Sequence, residues 1–197
     1  LSYGLSLLRA DLVGTETEQE AVQRVADFAE NNEQLQWVQG RGWNQVLWDS
    51  NEFPSASSLD ALIADKPVWL RRVDGHAAWA NSIAMELTGI DRRSEDPDGG
   101  QIIRDEDGNP TGVFIDNAMD LVSSQIPATS MEEQKFALNT AMLELAKQGL
   151  TSVHDAGAGS SVIEAYKQLL LDGPLPIRVN VMLSAGDSYY EQRLAEG

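Results

Sequence analysis

Two stretches decide the fold class: Gly149-Leu150-Thr151-Ser152-Val153-His154-Asp155-Ala156-Gly157 and, beyond one helical segment, Ile177-Arg178-Val179-Asn180-Val181-Met182-Leu183. In the second, Ile177, Val179, Val181 and Leu183 fall on one side of an extended chain while Arg178 and Asn180 fall on the other, the period of a half-buried strand. Leu150 to Val153 is a first, shorter strand candidate. Between them Val162, Ala165, Tyr166 and Leu169 recur at helical spacing, and Asp172-Gly173-Pro174 stops the helix. Upstream, Leu138, Ala141, Met142 and Leu145 form another helical stripe, with Gly149 placed to end it. Helix, strand, helix, strand is the repeat of a parallel α/β layer, so the chain from about Leu150 onward reads as consecutive barrel or doubly wound units.

Helix starts carry their own signature, a Ser or Thr that accepts from an early backbone N–H and a Glu three residues later that reaches back. Thr15-x-x-Glu18, Ser130-x-x-Glu133 and Ser161-x-x-Glu164 fit it, and the first opens a helix whose apolar side is Val22, Val25, Phe28 and Ala29. The middle of the chain reads differently. Trp37 to Trp48 and Pro67 to Val73 are strand candidates, Ala77 to Leu87 a helix ended by Gly89, and Gln101 to Ile115 a hairpin interrupted by Asp107-Gly108 and Asn109-Pro110. Residues 36–127 therefore read as an inserted α+β subdomain, after an early helical segment at 1–35 and before βα units at 128–197. No internal repeat or low-complexity linker stands out.

At 197 residues and 42% hydrophobic the chain can bury a core of ordinary size. Fourteen basic against thirty-one acidic residues leave a net charge of −17, which repels phosphate backbones and anionic lipid headgroups. Nucleic acid and membrane surfaces are accordingly not expected as partners, and no apolar run has the length of a membrane span. Such acidity equally suits a solubility strategy or a salt-adapted surface. The absence of cysteine excludes disulfides, thiolate zinc ligands and a thiol nucleophile, and leaves the compartment unknown. The chain opens on Leu1 rather than Met, and Asp187 to Gly197 has a helical look, so both ends read as internal to a longer protein.

The search for chemistry is short because His76 and His154 are the only histidines. Asp74-Gly75-His76 follows the run Val68 to Val73, so it is expected at a strand exit just before a helix. Val153-His154-Asp155 is expected in the same kind of place, where α/β folds collect binding and catalytic groups. Each histidine equally fits a partly buried residue bonded to a neighbouring aspartate. Neither His-x-His nor His-Glu-x-x-His is present, so the chain alone does not spell a histidine-rich metal site. A nucleophile elbow Gly-x-Ser-x-Gly is also absent. Gly99-Gly100 and Gly157-x-Gly159 lack the companions of a phosphate loop and read as turns. The tryptophans at 37, 43, 48, 69 and 79 suit core packing, or a wall for an apolar pocket near His76.

Four segments in fixed order carry a resemblance: Gly40-Arg41-Gly42-Trp43-Asn44; Arg72-Val73-Asp74-Gly75-His76-Ala77-Ala78-Trp79-Ala80-Asn81-Ser82; Asp96-Pro97-Asp98-Gly99-Gly100 with Gly108-Asn109-Pro110-Thr111-Gly112; and Gly149 to Gly157. Together they resemble the metal-dependent amidohydrolase family, the group that includes N-substituted formamide deformylase, over nearly the whole chain. The resemblance implies an α/β fold that is part of a TIM-like (β/α) barrel, here with the inserted α+β subdomain and its antiparallel hairpin. It implies a hydrolase acting on C–N bonds other than peptide bonds, with a metal-activated water as nucleophile, an acidic proton shuttle and a small-molecule amide-type substrate. The alternative is a non-catalytic binding or regulatory protein on the same fold.

The implied cofactor is a divalent metal, zinc, in the full-length protein. Its ligands, a His-x-His on the first barrel strand and later histidines and an aspartate, are expected outside this chain, so no residue here is assigned to the metal. This departure makes the chain alone an inactive central portion. Carried over by position, His154 and Asp155 are the catalytic candidates, and Asp74, His76 and Trp79 the substrate-binding ones. Asp116 stands where relatives have an acidic residue after the Pro-Thr-Gly turn. Homo-oligomerisation is left open.

Overall fold

Two units make up the fold in the computed structural model, which describes residues 1–187 together with Tyr190, Leu194 and Ala195. One unit is Arg9–Pro127; the other combines Leu1–Leu8 with Ala128–Gly197. Among the described residues the elements, in chain order, are α1 (Ser2–Leu7), β1 (Ala10–Asp11), α2 (Glu18–Glu30), β2 (Val38–Trp43), α3 (Ala56–Asp60), β3 (Val68–Arg72), β4 (Ala77–Ala80), α4 (Ser82–Leu87), β5 (Gly100–Arg104), β6 (Pro110–Asp116), α5 (Asp120–Ser123), α6 (Met131–Lys147), β7 (Ser152–Ala158), α7 (Ser160–Asp172) and β8 (Arg178–Leu183). The architecture is mixed α/β. No helix among the described residues is long and apolar enough to cross a membrane. The helical look of 187–197 falls largely outside the described residues.

In the unit 9–127 a six-stranded sheet runs in the order β1-β2-β3-β4-β6-β5. The first three strands are parallel and the last three join antiparallel. Both faces of the sheet are covered, and the alternation of side chains shows how. Val68, Leu70, Ala77, Trp79 and Val113 pack with Val22 and Val25 of α2 on one face, while Trp69, Ala78, Ala80, Phe114 and Ile102 pack with Ala84 of α4 and Val122 of α5 on the other. The expected hairpin at 101–115 is present as β5–β6.

Ala77 to Leu87, read from sequence as one helix, is strand β4 followed by the short helix α4. All four residues of β4 are buried, because the strand lies between β3 and β6 with both faces covered. Such a run has no period from which to tell a strand from a helix. The change of structure falls at Asn81, whose side chain is fully buried. Its Oδ1 accepts from Val68 N at 2.9 Å and from Ala84 N, the α4 cap, at 3.1 Å. Its Nδ2 donates to Ile63 O at 3.1 Å and Lys66 O at 2.9 Å.

Helix starts agree with expectation at one of three sites. Ser130 and Glu133 form the reciprocal capping box of α6. The α2 cap is Thr17 rather than Thr15; Thr17 accepts from Glu20 N, while the buried Thr15 hydroxyl turns back to Leu12 O. At α7 the cap residue is Gly159, and Ser161 lies inside the helix. There the Asp187 carboxylate accepts from Ser160 N and Oγ, which replaces a local cap.

In the other unit β7 and β8 pair in parallel through α7. β7 starts later than the run Leu150–Val153 suggested and continues to Ala158, passing a register shift at Gly157, whose φ is 77°. Gly157 is thus a bulge rather than a turn. Leu138 and Met142 of α6, Ala165 and Tyr166 of α7, and Ile177 form the core, with Val153, Val179 and Val181 packed on it. Gly4 of α1 lies so close to Ala137 that an added Cβ would be within 2.0 Å of its carbonyl oxygen. The buried Tyr166 hydroxyl donates to Asp155 Oδ2 at 3.0 Å. Burial, then the Asp155 charge and hydrogen bond, push the Tyr166 phenol well above its ordinary range.

Asn81→Ala removes every bond of that amide at once and leaves buried backbone groups without partners. A urea unfolding curve is expected to show a loss of at least about 3 kcal/mol. A midpoint within error of the parent would show that the amide is dispensable. For Tyr166, the raised phenol favours the protonated folded state. Its contribution is complete below the unfolded value of about 10 and is lost as pH rises beyond it. Tyr166→Phe is therefore expected to cost about 1 kcal/mol at neutral pH and to reduce the alkaline fall in stability above about pH 10. Parent and variant curves that stay parallel there would contradict this.

Candidate functional site

His76 ends the tight connection between β3 and β4. The segment Asp74-Gly75-His76 lies at the carboxyl end of a strand, as expected, but leads into a second strand rather than a helix. Gly75 has φ 79° and its N–H donates to Arg72 O. Asp74 stabilises the turn from within: Oδ1 accepts from His76 N at 3.0 Å and Oδ2 from Arg72 Nη1 at 3.1 Å. Asp74 thus holds the backbone of His76, not its ring.

The ring partner is Asp116, at the end of β6. His76 Nδ1 lies 2.7 Å from Asp116 Oδ1, and Asp116 N donates to His76 O at 3.0 Å. A carboxylate accepts, so Nδ1 carries a proton, and in the neutral ring Nε2 is the nitrogen with the lone pair. The His76 side chain is 76% exposed, so this second nitrogen is open to solvent or to a ligand. Asp116 adopts φ 46°, ψ −121°, a conformation costly for a residue with a Cβ. Sequence reading placed an acidic residue here without finding its partner. The signal was the β4–β6 register, in which Ala77 opposes Ile115, and it becomes legible only once Ala77 to Ala80 is read as strand.

His154 lies within β7, not at its end, and it is exposed. It shares its face of the strand pair with Ser152, Ala156, Arg178, Asn180 and Met182, and Asn180 is its register neighbour. Asp155 faces the opposite side, toward Tyr166. The two adjacent residues therefore do not form a His-Asp pair. His154 and Asp155 belong to one unit, and Asp74, His76 and Asp116 to the other.

Trp79 has no exposed surface. It packs edge-on against Trp43 and Trp48, with ring centroids 6.2 and 6.3 Å away, and its Nε1 donates to Ser55 O. Its surroundings make it a core residue, in place of the pocket wall expected from sequence. Among the described residues no three His, Asp or Glu side chains gather as metal ligands. The residues described here do not fit a metal centre by themselves.

Comparison with known proteins sets these features in context. The chain is 40% identical to Protein LONG AFTER FAR-RED 3 of Arabidopsis thaliana over 80% of its length, which is 27% of that protein. It is 28% identical to N-substituted formamide deformylase of Arthrobacter pascens, covering 80% of this chain and 30% of that one. Among solved structures it is similar to an uncharacterized metal-dependent hydrolase from Pyrococcus furiosus, with 26% identity and a TM-score of 0.69, covering 99% of this chain and 37% of that one. The chain thus spans about a third of the length of these relatives. The family model described as the amidohydrolase family matches residues 1–196, and on that match the chain belongs to the amidohydrolase family.

Proposed function

We propose that the longer protein to which this chain corresponds is a hydrolase that cleaves a non-peptide C–N bond, amide or formamide-like, in a small molecule. The observation that carries this reading is the His76–Asp116 pair, an exposed imidazole whose tautomer is set by a carboxylate and whose second nitrogen is open. An imidazole so held accepts a proton or a hydrogen bond through Nε2. Family membership and the likeness to formamide deformylase and to a metal-dependent hydrolase support the bond class.

Within this reading His76 contacts the substrate and Asp74 shapes the turn that presents it. His154 acts from the exposed face of β7, and Asp155, tied to Tyr166, fixes that strand. The β7–α7–β8 unit supplies strands of a TIM-like barrel, and the insertion in it is the compact unit at residues 9–127, wider than the 36–127 read from sequence. A divalent metal, zinc as first candidate, would be held by residues outside this chain and would there supply the activated water. The second reading is a binding or regulatory protein without catalysis on the same fold.

In the longer protein, His76→Ala and His154→Ala are expected to lower kcat/KM on a panel of amides and formamides by about two to four powers of ten. Stability should change little, because both side chains are exposed. Near-parental kcat/KM with a lowered denaturant midpoint would instead assign them structural roles. Dialysed 197-residue chain is expected to retain no stoichiometric zinc by elemental analysis. Tightly held zinc at one per chain would place the ligands within it.

A further inference from the structure

The first three strands of the six-stranded sheet carry an arginine cluster that the proposed chemistry does not use. Register places Asp11, Arg41, Arg71, Ala78 and Phe114 in one row across β1, β2, β3, β4 and β6, with all side chains on one face. Over β4 and β6 that face is apolar and covered, but over β2 and β3 it presents two exposed guanidinium groups side by side. Arg9, in the bend just before β1 and near enough to Arg71 to feel its charge, adds a third. Its guanidinium is held below its ordinary range by burial first and by the charge of Arg71 second.

Among the described residues four other arginines are ion-paired, whereas these three, like Arg92 and Arg178, are not. Arg24, Arg72, Arg93 and Arg104 each meet a carboxylate within 3.5 Å. Among the described residues Arg9, Arg41 and Arg71 form no ion pair, although the chain has 31 acidic residues from which to draw one. Arg71 uses a single N–H on Gly75 O at 3.1 Å. Nearby acids are engaged elsewhere: Asp11 accepts from Val13 N, Asp74 from Arg72 and His76 N, and Asp116 from His76. Arg41 and Arg71 lie in the carboxyl halves of the parallel strands β2 and β3, the end at which α/β sheets bind ligands, and guanidinium groups without an ion-pair partner there are suited to an external oxyanion. The planar fork of arginine fits carboxylate and phosphoryl oxygens in pairs.

We infer that the face formed by Arg9, Arg41 and Arg71 binds a small oxyanion, the carboxylate or phosphoryl group of a small molecule. The site stands on geometry and charge independently of the hydrolytic reading. Calorimetric titration of the chain with citrate and, separately, with inorganic phosphate at matched ionic strength tests it. Saturable binding of either anion is expected, citrate alone pointing to a carboxylate ligand and phosphate alone to a phosphoryl one. In Arg41→Gln/Arg71→Gln it should weaken by at least about tenfold, while Arg93→Gln, on a separate surface pair, leaves it unchanged. Arg41→Lys keeps the charge without the fork and should weaken binding by a smaller factor. This single variant decides the matter if the double variant does not fold. No saturable binding of either anion, or equal binding by parent and Arg41 variants, overturns the inference.

Discussion

The buried amide of Asn81 is the constraint on which the larger unit depends. Its four hydrogen bonds reach the first residue of β3, the first turn of α4 and the carbonyls of Ile63 and Lys66. A buried amide has two donor hydrogens and two acceptor lone pairs, and here each is used. Lying directly after β4, it anchors the pairing of Trp69 with Ala80 and Leu70 with Trp79. A slip of one residue would carry Trp79 to the face that holds Ala78 and would expose or overpack both cores. The same register sets Ala77 against Ile115 and so brings His76 to Asp116. A packing constraint at one end of β4 thus fixes a polar contact at the other.

Close backbone approach supports this arrangement at the far edge. Gly100 begins β5 where a Cβ would come within 2.2 Å of Ala118 N, so the chain after Asp116 can fold back over the strand only because that residue has no side chain. With β5 seated, β6 is paired on both sides up to Asp116, and the chain must leave it sharply. The positive φ of Asp116 is that exit.

Much of this was legible in sequence where period or cap chemistry was strong. The alternation through Ile177 to Leu183, the α6 box at Ser130 and the β5–β6 hairpin all have local causes, and all three are present. Ala77 to Ala80 was misread because a strand buried on both faces offers no alternation. Thr15 competed with Thr17 as a cap, and only the burial of Thr15 against Leu12 O separates them. The α7 cap comes from Asp187, distant in sequence, and local pattern cannot show it. For the candidate site, His76 was found by residue type, whereas its partner, forty positions away, depended on the misread strand. The pairing of His154 with Asp155 failed for a simpler reason: neighbours in a strand point to opposite faces.

Magnitudes decide whether the His76–Asp116 pair is a stability device. A non-glycine residue held in a sparsely populated conformation costs about 1–3 kcal/mol. An exposed pair of this kind contributes about 0–1 kcal/mol even when the imidazole is charged, and the ring here is largely in solvent. The contact therefore does not offset the strain at Asp116. That strain is carried by β6 pairing on both sides, by the Asp116 N–H to His76 O bond and by the seat of Gly100. Since the fold would be at least as stable with a less strained exit and no imidazole at the turn, folding does not account for either residue.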